Sequence, residues 1–318
     1  MGWLVPGGAG YVGAHVVHAL VAAGEDVVVL DDLSTGDATR LTGLPQVPLE
    51  VGSVRDRGMV RRVLRENAVT GVVHLAGTDR DDDPLGTWSG NVEGLLALLE
   101  GCRAKGVTRF VLSSGAAVYG APDADRAGED TARRPLSPYG RSLRAAEDLV
   151  RDCAAWGLSA TVLRCATVAG AAGPHLGDQE TGHLLPSVFA ALDADRPPLL
   201  PGDDHSTPDG SPVRDVVHAA DVAAAHVAAA RALAAGRPGG TYDVGRGVGV
   251  SLREVLRVVA EVTGGDTTPE VTARRPGEPS RLVLAVDRAD RDLGWRATRD
   301  LPGIVASAWE SWRALQPL

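Results

Sequence analysis

The chain has 318 residues, 44% of them apolar, and a formal charge of −9 at pH 7. That length allows one large or two ordinary domains with an ample core, and an acidic chain with scattered arginine argues against a nucleic-acid partner. Of its 32 Lys and Arg residues only Lys105 is lysine, so Schiff-base chemistry, a P-loop lysine or a tyrosine–lysine acid/base pair has a single residue to draw on.

In chain order, Gly2 to Pro6 reads as a short apolar strand, His15 to Ala23 as a helix and Asp26 to Leu30 as a buried strand. The run Val16 to Ala23 is short and broken by His18, which predicts neither a signal peptide nor a membrane span. A helix is expected from Arg57 to Asn67, a strand from Gly71 to Leu75, a helix from Asn91 to Lys105 and a strand from Arg109 to Ser113. A helix from Ser137 to Trp156 and a strand from Ser159 to Arg164 continue the alternation. Strands apolar on both faces, alternating with helices, predict βαβ units and a parallel sheet. Residues 170 to 214 are rich in Gly, Pro, Asp and His, with one helical stretch near Leu185 to Leu192, as expected of a loop-rich substrate region. The pattern then predicts a helix from Val216 to Leu233, a strand from Thr241 to Val244 and a helix from Ser251 to Thr263. A strand near Glu270 to Thr272, an arginine-containing loop and a last helix complete the chain. Cys102, Cys153 and Cys165 are an odd set without metal-ligand spacing, which predicts a reducing, cytoplasmic setting and no metal site.

The first chemical motif is Gly7-Gly8-Ala9-Gly10-Tyr11-Val12-Gly13, between the first strand and the first helix. Glycine there allows a tight turn and close approach of a pyrophosphate, and the helix N-terminus offers free N–H groups to it. Asp31 ends the second strand. A carboxylate there accepts bonds from a ribose diol and repels a 2′-phosphate, which favours NAD over NADP. The expected fold class is α/β: a Rossmann doubly wound parallel sheet with a smaller, interleaved C-terminal substrate domain. The expected division is 1–169 with 215–245 for the dinucleotide domain, and 170–214 with 246–318 for the substrate domain.

The chain resembles the extended short-chain dehydrogenase/reductases of the NAD-dependent epimerase/dehydratase family, and within it the UDP-glucose 4-epimerases. The blocks that carry the resemblance run nearly end to end: residues 7–13, Val29 to Gly36, Val72 to Gly77, Ser113 to Gly120, Ser137 to Ser142, Val168 to Ala171, Asp203 to Gly210, Val213 to His226 and Arg274 to Glu278. The resemblance implies tightly held NAD, a nucleotide-diphosphate sugar as substrate and a homodimer paired through the helices near 91–105 and 137–156. The dinucleotide contacts it implies are Gly7, Gly10, Tyr11, Val12, Gly13, Asp31, Asp32, Ser53, Val54, Leu75, Ala76, Gly77, Asn91 and Tyr139. The substrate contacts are Thr167, His183, Leu184, Arg214, Arg275 and Glu278. Tyr139 matches the tyrosine that takes a proton from the sugar hydroxyl while hydride passes to NAD and returns to the other face.

The rest of the family's proton relay is missing. Leu143 stands where the lysine belongs, Gly115 where the serine belongs and Ala117 where a threonine belongs. Asp79 replaces a lysine after the strand from Gly71 to Leu75, Ser53 an aspartate, Thr167 an asparagine and Pro6 a threonine. A phenol without a neighbouring cation titrates near ~10 and is a poor base at neutral pH. Arg141, Arg144, Asp79, Arg80 and His183 are the candidates to stand in. Three readings follow: a nucleotide-sugar epimerase with altered acid/base chemistry; a catalytically impaired binding protein or sensor; and a dehydratase, decarboxylase or other sugar-modifying enzyme.

Overall fold

The computed structural model describes residues 2–79 and 82–316. The first half holds β1 (Gly2–Pro6), α1 (Tyr11–Ala22), β2 (Asp26–Asp31), β3 (Leu49–Val51), α2 (Arg57–Glu66), β4 (Val69–His74), α3 (Pro84–Trp88), α4 (Gly94–Lys105), β5 (Arg109–Gly115) and α5 (Pro138–Asp152). Then come β6 (Ser159–Cys165), β7 (Thr167–Ala169), α6 (Leu184–Asp193), β8 (Leu199–Pro201), β9 (Val213–His218), α7 (Ala219–Ala234) and β10 (Thr241–Val244). The chain closes with β11 (Gly249–Ser251), α8 (Leu252–Thr263), β12 (Glu270–Thr272), β13 (Arg281–Leu282), α9 (Asp287–Leu293) and α10 (Leu301–Leu315).

Seven strands form one parallel sheet in the order β10-β6-β5-β4-β1-β2-β3. Its strands are apolar on both sides because both sides are covered. Trp3, Val5, Val27, Val29 and Val111 face a cluster closed by Val16 and Leu20 of α1 and by Val222 and Leu233 of α7. Leu4, Val28, Leu30, Phe110 and Leu112 face a second, closed by α2, α4 and the Ala146–Val150 side of α5. This is the doubly wound architecture, and ligands bind such sheets beyond the strands' C-terminal ends, where the strand order reverses between β1 and β4.

A second sheet centres on β9, which pairs antiparallel with β11 and parallel with β7 and β13. Val217 of β9 packs in the core shared with α1 and α7, and Val216 in a third cluster with α6, α8 and α10. β7 and β9 thus form the seam between the two cores. The predicted helix from Val216 is corrected here. Val216 to His218 are strand, and α7 begins at Ala219, where the His218 ring accepts the Ala220 N–H at 2.9 Å. The Ala-rich periodicity of α7 obscured a strand whose β-branched residues are buried on both sides.

The expected helix from Asn91 is also different. Ser89 to Glu93 form one π turn between α3 and α4, a local widening that recurs at functional sites. On the two helices expected to pair, Leu95, Leu98, Leu99, Leu143 and Val150 are buried and Leu96 is exposed; Leu85 and Trp88 of α3 are exposed as well. Cys102, Cys153 and Cys165 are free thiols. No helix among the described residues is long and apolar enough to cross a membrane.

Candidate active site

The Gly-rich loop turns from β1 into α1 across the C-terminal edge of the sheet. Gly7 has φ +79°, and a Cβ on it would come within 2.5 Å of the Ala76 amide nitrogen. A Cβ on Gly13 would run into the Gly7 carbonyl. Only glycine lets the loop, α1 and the end of β4 close up this far. Gly10 is the N-cap of α1 and brings no side-chain cap, so the helix N-terminus keeps its N–H groups for an anion.

Gly7, Gly10, Asp31, Asp32, Ser53, Val54, Leu75, Ala76 and Gly77 line one cleft with Ser34, Thr35 and Arg55. The Asp31 carboxylate accepts the Ala9 and Leu33 N–H groups at 2.9 Å each, and burial pushes its pKa up. Asp31 therefore fixes the Gly-rich loop as well as facing the cleft. Two adjacent carboxylates, Asp31 and the exposed Asp32, set a negative field where a 2′-phosphate would lie.

Tyr11 and Asn91 serve the scaffold. Tyr11 donates its hydroxyl to the Gly170 carbonyl at 2.5 Å, tying α1 to the start of the substrate segment. Buried Arg40 reinforces the tie by donating to the carbonyls of Ala9 and Gly177. Asn91 accepts the Thr78 N–H at 2.8 Å and donates to the Thr78 carbonyl and to Ser142 Oγ, each at 2.9 Å. Ser142 Oγ donates in turn to the Tyr139 carbonyl. The π turn thus clamps the loop after β4 to the helix that carries Tyr139.

Tyr139 lies in the first turn of α5, which Ser137 caps and Pro138 opens. Its hydroxyl is 3.6 Å from where a Gly115 Cβ would stand, and Leu143 Cδ1 is 3.3 Å from the same point. The three positions singled out for the proton relay therefore meet at the C-terminal end of β5. No hydroxyl extends from Gly115, and Leu143 fills the space and joins the apolar core. One helix face carries Tyr139, Leu143 and Glu147 (spaced four apart). Glu147, 1% exposed, accepts from Ser114, Arg164 and Arg133. Ser114 is thus held at Glu147, two helical turns along α5 from Tyr139.

Arg141 donates to the Leu136 carbonyl and Arg144 to that of Arg133, so both point back along the preceding loop. Arg80 and Asp81 lie outside the described residues. Asp79 and His183 come together: His183 Nε2 is 3.1 Å from Asp79 Oδ2, and Nδ1 is 2.8 Å from Asp178 Oδ2. The bonds to Asp178 and then Asp79 push the imidazole up to about 10, making it a standing cation. This triad bridges the loop after β4 and the substrate segment. Either residue could be singled out from sequence, but their pairing across 104 positions leaves no local signal.

Leu184 follows His183 into α6, and both line a small cavity with Gly170 and Asp178. Thr167 is half-buried in β7. Arg214, on β9, donates to Glu278 Oε1 at 2.8 Å, and burial lowers its pKa, with Arg275 adding like-charge repulsion. Glu278 Oε2 is buried without a donor. A cationic pair beside a buried open acceptor suits a phosphate and a ribose hydroxyl.

Residues 3–245 match the model of the NAD dependent epimerase/dehydratase family. The chain belongs to this family. A UDP-glucose 4-epimerase of Azospirillum brasilense is 41% identical over 98% of this chain and 92% of that protein. One of Streptomyces lividans is 40% identical over 99% and 97%. Among solved structures, a UDP-glucose-4-epimerase of Stenotrophomonas maltophila, with bound NAD and formylated UDP-arabinopyranose, is 32% identical with a TM-score of 0.93, covering 99% of this chain and 98% of that one. As a family member this is an NAD-dependent enzyme, and the uncapped α1 N-terminus, the Gly7–Gly13 contact and the paired carboxylates at the end of β2 fit the dinucleotide.

Proposed function

We propose that this chain is a nucleotide-sugar epimerase of the UDP-glucose 4-epimerase type whose acid/base arrangement departs from its relatives. The carrying observation is near end-to-end similarity to UDP-glucose 4-epimerases in a chain that keeps both binding ends. NAD, when bound, supplies the acceptor and donor of hydride at the sugar carbon. Gly7, Gly10, Val12, Gly13, Asp31, Ser53 and Val54 hold it, with Leu75, Ala76 and Gly77 along its edge. Arg214 and Arg275 hold the diphosphate, Glu278 a ribose hydroxyl, and Thr167, His183 and Leu184 line the way to the sugar. Tyr139 takes and returns the hydroxyl proton, with Gly115 and Leu143 beside it where relatives of this type carry a serine and a lysine. The domain division at 169/170, 214/215 and 245/246, with β7 and β9 as the seam, a cytoplasmic location and a homodimer formed across the exposed Leu85, Trp88 and Leu96 belong to the same proposal.

The test is direct. Protein released from denaturation should yield stoichiometric NAD, and NMR should show UDP-glucose and UDP-galactose interconverting. Size-exclusion chromatography with light scattering should give about twice the chain mass. Absence of NAD together with absence of interconversion overturns the proposal. A second reading is favoured by Leu143 itself: a protein that binds both ligands without turnover. NAD bound stoichiometrically with no interconversion of any nucleotide sugar would select it.

A further inference from the structure

Residues 170–183 run from the end of β7 to the start of α6 and are tied down at two places. The first tie is to α1 and the segment that follows β2. Tyr11 donates its hydroxyl to the Gly170 carbonyl at 2.5 Å, His15 Nε2 accepts the Ala172 N–H at 3.0 Å and Arg40 donates to the Gly177 carbonyl at 3.2 Å. His15 and Arg40 are buried, and in each bond the partner on the segment is a backbone group. The second tie is to the loop after β4. His183 Nδ1 meets Asp178 Oδ2 at 2.8 Å, and His183 Nε2 meets Asp79 Oδ2 at 3.1 Å. This tie is open to water: the side chains of His183 and Asp79 are 37% and 53% exposed.

α1 covers one side of the sheet, and the loop after β4 leads towards α4 on the other. A segment fastened to both passes over the C-terminal edge of the sheet at the reversal between β1 and β4, where ligands lie in this architecture. Thr78, beside Asp79, lines the dinucleotide cleft, while Asp178 and His183 line the small cavity with Gly170. The Asp79–His183 contact joins the walls of these two spaces. Its halves are held differently. Asn91 binds both backbone groups of Thr78, so Asp79 stands on a fixed wall. His183 belongs to the segment itself. Its N–H donates to the Glu180 carbonyl at 2.8 Å, and the Glu180 N–H donates to Asp178 Oδ1 at 3.1 Å, so the turn that presents the imidazole keeps its shape as a unit. A water-exposed ion pair opens at less cost than buried bonds to backbone. The α1 end is therefore the hinge, and the Asp79 end is where the segment lifts.

We infer that residues 170–183 are a strap over the meeting point of the dinucleotide and substrate sites, hinged at α1 and latched by His183 to Asp79, and that release of this latch sets the rate at which bound NAD exchanges. Asp79 and His183 are positioning residues in this role. The inference rests on the dinucleotide placement proposed above. Exchange of resident NAD for isotope-labelled NAD, followed by native mass spectrometry, tests it. Asp79→Ala should speed exchange about three- to tenfold, the scale of one partly exposed charge-assisted hydrogen bond. His183→Gln should speed it at least as much, since it also frees Asp178. Asp79→Glu, which keeps the carboxylate within reach of the imidazole, should keep the slow rate. Asp79→Ala added to His183→Gln should bring no further gain, because Asp79 acts through His183; general loosening of the fold would instead give effects that multiply. Unchanged exchange in both single variants, loss of the slow rate in Asp79→Glu, or multiplying effects in the double variant overturn the inference alone. Protein that retains no NAD overturns the dinucleotide placement and this inference with it.

Discussion

At residue 143 a cation has become part of the core. Leu143 is 8% exposed and packs with Cys165, Ala166 and Val244, and Gly115 opposite it leaves no hydroxyl. Arginine stands for basic residues almost throughout the chain, with Lys105 the single lysine, yet the residue at 143 is leucine and not arginine. Leu143→Ala should destabilise the fold by about 2–4 kcal/mol in chemical denaturation, as a core leucine does; a change near zero would show that the side chain is not packed as described. His183 is the contrasting case, a cation held in place by two carboxylates. Its folded-state pKa of about 10 lies above the unfolded ~6.5. Its stabilising contribution is therefore complete below about pH 6.5 and lost as the pH rises through about 10. Imidazole NMR should find it charged at pH 8, with Asp79→Asn and Asp178→Asn each lowering the midpoint. A midpoint near 6.5 in the unsubstituted protein would remove the bridge between the two loops. Neither feature could be read from sequence alone. The substitution at 143 was visible in the motif, but its burial and the pairing of His183 with Asp79 depend on how distant segments fold together.

The elements that were legible are those with a local cause. The Gly-rich turn, the apolar runs of β1, β2 and β5, and α2 show their period or punctuation within a few residues. β9 was hidden because its valines are buried between two cores and lead directly into an alanine-rich helix. The π turn was hidden because its reason is Asn91, whose amide must reach Thr78 and Ser142 together. Asn91→Ala leaves both polar groups of Thr78 without that partner and should cost about 1–3 kcal/mol. It should also release NAD more readily, since Thr78 and Gly77 line the dinucleotide cleft. Retention of full stability and of bound NAD would show that the clamp is dispensable.

Across the whole molecule, a buried polar layer runs behind the candidate site. Tyr119 donates to both Asp243 oxygens at 2.8 and 2.9 Å, and Arg164 donates to Tyr119 and Glu147. Burial, with the nearby Glu129 charge, pushes Asp243 up to about 8, whereas an unfolded aspartate titrates near ~3.9. The folded protein thus keeps a proton that the unfolded chain gives up. Stability should fall as pH rises from about 4 to about 8 and level off beyond. Asp243→Asn should therefore raise the melting temperature at pH 8, by on the order of 2–4 °C per kcal/mol recovered, with the gain vanishing towards pH 4. An equal effect at both pH values would mean that Asp243 is ionised in the fold throughout.

The scaffold of the family is complete here while its proton relay is not, and one double variant tests that claim. Gly115→Ser with Leu143→Lys should leave bound NAD unchanged and raise the rate of UDP-glucose to UDP-galactose interconversion at least about a hundredfold, the scale of a restored general acid–base assembly. Loss of NAD or an unchanged rate in a folded variant would contradict it, and would place the altered chemistry somewhere other than residues 115 and 143.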